Sequence, residues 1–304
     1  MLRRTLLASA GVMALTGAAL AADIPSRAPP PVYVPPPPVL TWTGLYIGIN
    51  AGGTWSNNNN VNTTAVPVFS AATFAPELAL SSALATTSVP FSNSGFIGGG
   101  QIGYNYQFAN SFVAGIEADI QGVASGGRTG TVFGSGVPVG FPGETINSTV
   151  TASKRIDYLG TVRGRLGIAI TPTFLAYGTG GLAYGGLHSS VSIFQQNLGP
   201  PGSNFTAPFS SFGSLSNSRV GWTAGGGLEW LFAPNWSIKA EYLYYDLGTA
   251  TFALGALTNT FTDGSGVAYS SAPFARTRFN GHIVRGGLNW HFNLWGPAPV
   301  VAKY

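Results

Sequence analysis

The 304-residue chain has no cysteine and little charge: only 8% of its residues are Asp, Glu, Lys or Arg, against about 25% in an ordinary soluble domain. Without cysteine there is no disulfide and no lipid-modified amino terminus. Three isolated histidines, His188, His282 and His291, offer no metal-ligand spacing. Beyond the first twenty or so residues no apolar run reaches the roughly 18 residues that a membrane helix needs. Glycine is plentiful, 43 residues, but shows no G-X-Y period, which excludes collagen. With 45% hydrophobic and 12% aromatic residues the chain is too apolar for general disorder. A chain suited to lipid, with no helix to span it, points to a closed β-barrel, which satisfies every backbone hydrogen bond by pairing strands.

The amino-terminal segment reads as an export signal. Arg3 and Arg4 precede an apolar core from Leu6 to Leu20, and Ala19-Leu20-Ala21 fits a cleavage site, giving a signal peptide over 1–21. Without Arg3 and Arg4, 12 of the 14 basic residues remain against 10 acidic ones. The basicity largely vanishes, and nucleic acid is not an expected partner. Residues 22–40 contain APPPVYVPPPPV, an extended polyproline tether. The barrel is expected over 41–292, followed by a tail at 293–304.

From Thr41 on, apolar and polar residues alternate in eight segments, at about 42–56, 95–108, 112–123, 153–170, 174–187, 219–232, 236–247 and 277–292. Three connections are short (109–111, 171–173 and 233–235), and four are long and rich in Gly, Ser, Thr and Asn (near 57–94, 124–152, 188–218 and 248–275). Short turns at one end and long loops at the other predict an eight-stranded antiparallel transmembrane β-barrel with short periplasmic turns and long extracellular loops.

Side chains alternate faces along a strand, so parity separates lipid from lumen. It assigns to the lumen Glu117, Asp119, Arg155, Asp157, Arg163, Arg165, Arg219, Glu229, Lys239, Glu241 and Arg285, five acids and six bases. It turns Ile156 outward, and leaves Lys154, Asp246, Arg276 and Arg278 on the outer face near strand ends, reaching for headgroups. The Gly-rich fifth segment is ambiguous. Phe108, Phe112, Phe174, Phe232, Trp236 and Phe292 fall on the outer face beside the short turns, as a periplasmic aromatic girdle. The triplets Gly98-Gly99-Gly100 and Gly225-Gly226-Gly227 lie within strands and suit bending around a narrow barrel rather than holding phosphate.

Eight strands enclose a space that side chains just fill. A near-balanced set of charges there predicts a salt-bridged plug, whereas a selective pore segregates its charge. The expected role is structural, in envelope integrity and surface interaction; the alternative is a narrow porin-like diffusion channel. No cofactor and no catalytic site are expected. Ser189 and Ser190 beside His188 have no acidic neighbour in sequence to complete a triad.

WTGLYIGINAG (42–52), YLGTVRGRLG (158–167), YGTGGLAYG (177–185) and GWTAGGGLEW…KAEYLYYDLG (221–248) together resemble the alphaproteobacterial outer-membrane surface antigens of the opacity-like, porin-like superfamily. The resemblance covers the strands and leaves out the loops. It implies an eight-stranded barrel in the cell outer membrane, set among lipid and lipopolysaccharide, with roles in envelope integrity and surface contact and with possible extracellular partners at its loops. RGGLNWHF at 285–292 resembles the terminal strand signal read by the barrel assembly machinery, carried by Arg285, Gly287, Trp290 and Phe292. In that group the chain commonly ends at this Phe, whereas here it runs on to Tyr304.

Overall fold

The computed structural model describes residues 41–292 except 72, 91, 93, 110, 125–127, 200–207 and 262–265. The expected signal (1–21), proline tether (22–40) and tail (293–304) lie outside the described residues. In chain order the elements are β1 (Gly44–Ser56), β2 (Asn60–Ser70), α1 (Ala75–Ala85), β3 (Ser88–Pro90), β4 (Ser94–Phe108), β5 (Phe112–Ala124), β6 (Arg128–Gly136), β7 (Thr145–Thr171), β8 (Phe174–Leu198), β9 (Phe209–Ala233), β10 (Trp236–Ala253), β11 (Leu257–Thr260) and β12 (Val267–Phe292).

Eight of these strands form a closed antiparallel ring, β1-β4-β5-β7-β8-β9-β10-β12, and β12 returns to β1. Closure is continuous: Ile47 pairs with Trp290 of β12 on one side and with Ile102 of β4 on the other. Each predicted strand segment lies within or overlaps one ring strand. The short connections follow β4, β7 and β9, where Ala109 takes a positive φ and Pro172 and Pro234 stop the ladder.

Parity sorts the wall as alternation requires. Ile49, Ile116, Ile120, Val162, Leu166 and Leu228 are exposed on the outside, while Tyr46, Asn50, Glu117, Asp119, Arg163 and Glu229 are buried inside. The ambiguous fifth segment resolves in β8, whose odd residues Leu175, Tyr177, Ala183 and Leu187 face inward.

The long loops are mostly sheet, which corrects the loop expectation. Strands β7, β8, β9 and β12 run 25 to 27 residues and continue well past the ring's even portion. There β6-β7-β8-β9 form one sheet and β10-β12-β2-β3, with β11 on β12, form another. An apolar core including Val61, Val89, Val150, Val191, Ile193, Phe209, Leu257 and Tyr269 fills the space between them. Apolar residues at period 2 (Ile146, Val150 and Ala152; Val191 and Ile193) face inward, while Ser and Thr occupy the other face. Helix α1, an Ala/Leu-rich segment opened by Pro76, buries Leu78, Ser81, Ser82 and Ala85 in this core. Gln195 of β8 clamps it: Ser81 Oγ donates to Gln195 Oε1 at 2.5 Å, and Gln195 Nε2 donates to the Ser81 carbonyl at 2.9 Å.

Glu77 on α1 is buried, and among the described residues no side chain donates to its carboxylate. Burial pushes this carboxyl above its ordinary range, and burial plus the charge of Glu77 raises Glu144 as well. A carboxyl raised in the folded state keeps protons that the unfolded chain has lost, so stability is fully present in acid and falls as pH rises past the ordinary carboxylate value. Amide exchange in α1, corrected for intrinsic rates, is therefore expected to be slower at about pH 4 than at neutral pH. Glu77→Gln is expected to shrink that difference. Equal protection at both pH values would refute the assignment.

Candidate functional site

The interior of the ring is the chemically distinctive place in this chain. Glu117 and Asp119 come from β5, Arg163 and Arg165 from β7, Glu229 from β9, Lys239 and Glu241 from β10 and Arg285 from β12; all eight are buried. These four acids and four bases form one connected cluster. Arg163 Nη2 meets Glu117 Oε1 at 2.5 Å and Asp119 Oδ2 at 3.0 Å, while its Nη1 meets Glu241 Oε1 at 2.8 Å. Arg285 Nη2 bridges Asp119 Oδ2 at 2.8 Å and Glu241 Oε2 at 2.6 Å. Lys239 Nζ lies 2.8 and 2.9 Å from the two oxygens of Glu117. Arg165 joins Glu229 at 2.6 Å and donates to Tyr46 Oη at 2.5 Å, and Tyr46 passes a hydrogen bond to Glu117 at 2.7 Å.

Neutral groups complete the shell. Arg165 lies 3.9 Å from the centre of the Tyr177 ring. Glu229 accepts from Ser237 at 2.6 Å and Asn289 at 2.8 Å, and Asn50, Gln101 and Asn289 form a side-chain chain beside it. Every ring strand supplies at least one member. Burying eight charges is tolerable because each meets opposite charge, and among the described residues only Arg165 Nε and Arg285 Nη1 of these eight side chains lack a hydrogen-bond partner.

Apolar layers cover the charged layer on both sides. Trp42, Val113, Leu175 and Leu231 lie toward the short turns. Ile97, Leu159, Ala183, Leu187, Leu243, Phe279 and Ile283 lie toward the long-loop end. The charge pattern along the strands does not reveal these two layers of the lumen filling.

Three predicted lumen charges are placed elsewhere. Arg155 and Asp157 are exposed and paired with each other at 3.1 Å, because the β7–β8 register shifts between Ile156 and Tyr158. That bulge reverses parity beyond it. Ile156 and Lys154, both expected outside, are consequently buried inside. Lys154 Nζ donates to the Asn58 carbonyl at 2.9 Å and the Arg278 carbonyl at 2.5 Å. Arg219 is half-buried and donates to the Thr249 carbonyl at 2.8 Å, away from the cluster. Asp246, expected at the surface, is buried beside a second register shift and pairs with the exposed Arg278.

The aromatic residues Phe108, Phe112, Phe232 and Trp236 are exposed on the outer wall beside the short turns, with Phe174 and Phe292 half-covered among them. Trp236 packs edge-on against Trp290 at 4.7 Å between centroids. A second outward set near the other rim, unforeseen from sequence, gathers Trp55, Tyr242 and Tyr244 around His282.

His188 does find an acid: its Nε2 lies 2.8 Å from Asp157 Oδ2, a contact that sequence distance concealed. The same nitrogen faces Ser216 Oγ at 3.4 Å. A Ser–His–acid relay uses both ring nitrogens, so this arrangement is not one. Ser189 is buried and donates to the Ser153 carbonyl.

An outer wall of exposed Ile, Val, Leu and aromatic residues around a closed, buried polar interior inverts the soluble pattern. The profile of the outer membrane protein beta-barrel domain matches residues 7–292. The chain belongs to this outer membrane β-barrel family. Among curated relatives, the 31 kDa outer-membrane immunogenic protein of Brucella melitensis is 33% identical over 291 residues, 96% of this chain and all of that protein. A 22 kDa outer membrane protein of Rhizobium leguminosarum is 28% identical over 180 residues, 56% of this chain and 66% of its own. Of solved structures, the attachment invasion locus protein Ail of Yersinia pestis aligns with TM-score 0.25 and 13% identity, over 80% of this chain and 99% of Ail. OprG of Pseudomonas aeruginosa aligns with TM-score 0.31 and 10% identity, over 82% and 97%. As in other outer membrane β-barrels, the short turns face the periplasm and the sheet extension with α1 faces the cell exterior.

Proposed function

We propose that this outer membrane barrel is a filled, non-conducting wall element that contributes to envelope integrity and presents its extracellular sheets for surface contact. The observation that carries this reading is the lumen: a balanced layer of four acids and four bases between two apolar layers. Water and ions crossing it would have to separate buried ion pairs, at a cost of several kcal/mol for each charge left alone. The aromatic ring of Phe108, Phe112, Phe174, Phe232, Trp236 and Phe292 would anchor the periplasmic rim in the headgroups. Arg285, Gly287, Trp290 and Phe292 would be read by the assembly machinery before closure. The relative's description as an immunogenic outer-membrane protein fits a surface-exposed role for this chain too. The single-nitrogen geometry at His188 favours a non-catalytic role.

Reconstitution in planar bilayers tests the proposal. Purified protein is expected to give no reproducible single-channel steps. Stable, uniform steps would overturn the filled-lumen reading in favour of a narrow diffusion channel.

A further inference from the structure

On three adjacent strands the outer wall changes character at one height. Outward side chains are apolar or aromatic up to Tyr158 on β7, Tyr184 on β8 and Val220 on β9. The positions that follow are Asp157 and Arg155, His188, and Ser218 and Ser216. The lipid tails end where the apolar side chains do. Ten residues from Ile168 to Tyr158, at about 3.3 Å each and a tilt near 40°, span roughly 25 Å, the height of a barrel's hydrocarbon band.

Immediately above that line the wall is recessed. A cavity of about 390 Å³ opens among Ser153, Ser190, Ser214, Ser216, Arg155 and His188. We propose that this recess binds a phosphate monoester on the sugar headgroup of an outer-leaflet lipid.

The chemistry is that of a phosphate site. Arg155 is tied down only through Nε, 3.1 Å from Asp157 Oδ1. Among the described residues nothing is bonded to its two terminal nitrogens, the pair that grips a phosphate in bidentate fashion. Serine hydroxyls supply short neutral donors, two of them already coupled at 2.7 Å between Ser153 and Ser190. Thr129 of β6, opposite Ser153, adds a further hydroxyl from the neighbouring strand. The ammonium of Lys154 points into the lumen and contributes charge only. Among the described residues no acid lines the recess while Arg155 and Lys154 do, and Asp157 at its edge offsets one of those two cations, so the recess carries surplus positive charge. Arg155 stands three residues beyond Tyr158, roughly 7 Å above the apolar edge, where headgroup phosphates lie.

The test uses the full-length protein in an uncharged detergent. Binding of lipid A carrying its phosphates is compared with binding of chemically dephosphorylated lipid A, with glucosamine 6-phosphate as a soluble competitor. The phosphorylated lipid is expected to bind about tenfold more tightly, equivalent to about 1.4 kcal/mol. That preference should vanish in Arg155→Ala and persist in part in Arg155→Lys, with heat-modifiable migration showing that each variant is folded. Equal binding of the two lipids by the unaltered protein, or an unchanged preference in Arg155→Ala, overturns the proposal. Competition by the soluble sugar phosphate as strong as by the lipid would overturn the lipid source.

Discussion

Replacing Glu117 with Gln is expected to lower the unfolding free energy of the barrel by about 3–5 kcal/mol. Glu117 is the hub of the lumen: Arg163, Arg165 and Lys239 all pair with it, Arg285 lies 3.7 Å away, and Tyr46 donates to it. The amide keeps the volume and removes the charge. Four buried cations then face three carboxylates, and among the described residues Lys239 retains only the ion pair with Glu241 at 3.9 Å. An uncompensated buried cation cannot be screened by water that does not reach it, so the loss far exceeds that of a surface pair. Urea titration in detergent micelles, followed by tryptophan fluorescence, reads the change as a lowered midpoint. Arg155→Ala serves as the exposed control and should shift stability by less than about 1 kcal/mol. The double variant Glu117→Gln/Lys239→Met should recover a substantial part of the loss, because it leaves three acids against three bases. A Glu117→Gln loss below about 1 kcal/mol, or no recovery in the double variant, would show that the cluster is not coupled through charge.

How much of this cluster could be read from the sequence follows from what alternation encodes. Parity reports the face of each residue as long as the ladder is regular, and through β5, β9 and the lower part of β7 it is. Glu117, Asp119, Arg163, Arg165 and Glu229 were therefore legible one strand at a time. Arg155 and Asp157 were not, because the β7 bulge that turns them outward exists only relative to the partner strand β8. Removing those two and Arg219 from the expected set leaves four acids and four bases. The lumen is better balanced than the composition of the strands suggested. The shift between Asp246 and Thr249, with Gly248 at φ +79°, hid the burial of Asp246 in the same way.

The extracellular sheets were illegible for a different reason. Their inner apolar residues, such as Val150 and Val191, are diluted by Ser, Thr, Asn and Gln on both faces, so alternation is weak and composition imitates a loop. Helix α1 shares that disguise. Its buried face includes Glu77, Ser81 and Ser82, and its fit rests on Gln195, more than a hundred residues away. The pairing of His188 with Asp157 likewise depends on strand register.

The largest effect of a single substitution is expected at Gly225, where Val should abolish the folded, heat-modifiable species, while Gly178→Val should leave it intact. Both are strand glycines, and they differ in the face they occupy. Gly225, the first residue of its triplet, points into the lumen side, where a Cβ would run into the carbonyl of Tyr242 and lie 2.9 Å from the Leu243 Cα. Backbone cannot swing aside as a side-chain tip can, so β9 and β10 would have to separate. Gly178 faces the lipid, with the nearest atom 4.0 Å from its would-be Cβ. The same crowding recurs at Gly99, where the Gln121 Cα is 2.7 Å away, and at Gly181, where the Arg163 Cα is 2.7 Å away. A ring of only eight strands leaves little internal radius. Inward glycines let neighbouring backbones close up and free volume for long side chains: Gly181 lies against Arg163, and a Cβ at Gly287 would come within 3.0 Å of Cε and Cγ of Lys239. Glycine and buried charge are therefore two parts of one packing solution. A Gly225→Val protein that still folds with unchanged migration would mean that the wall has slack, and the tightly filled lumen would lose its geometric basis.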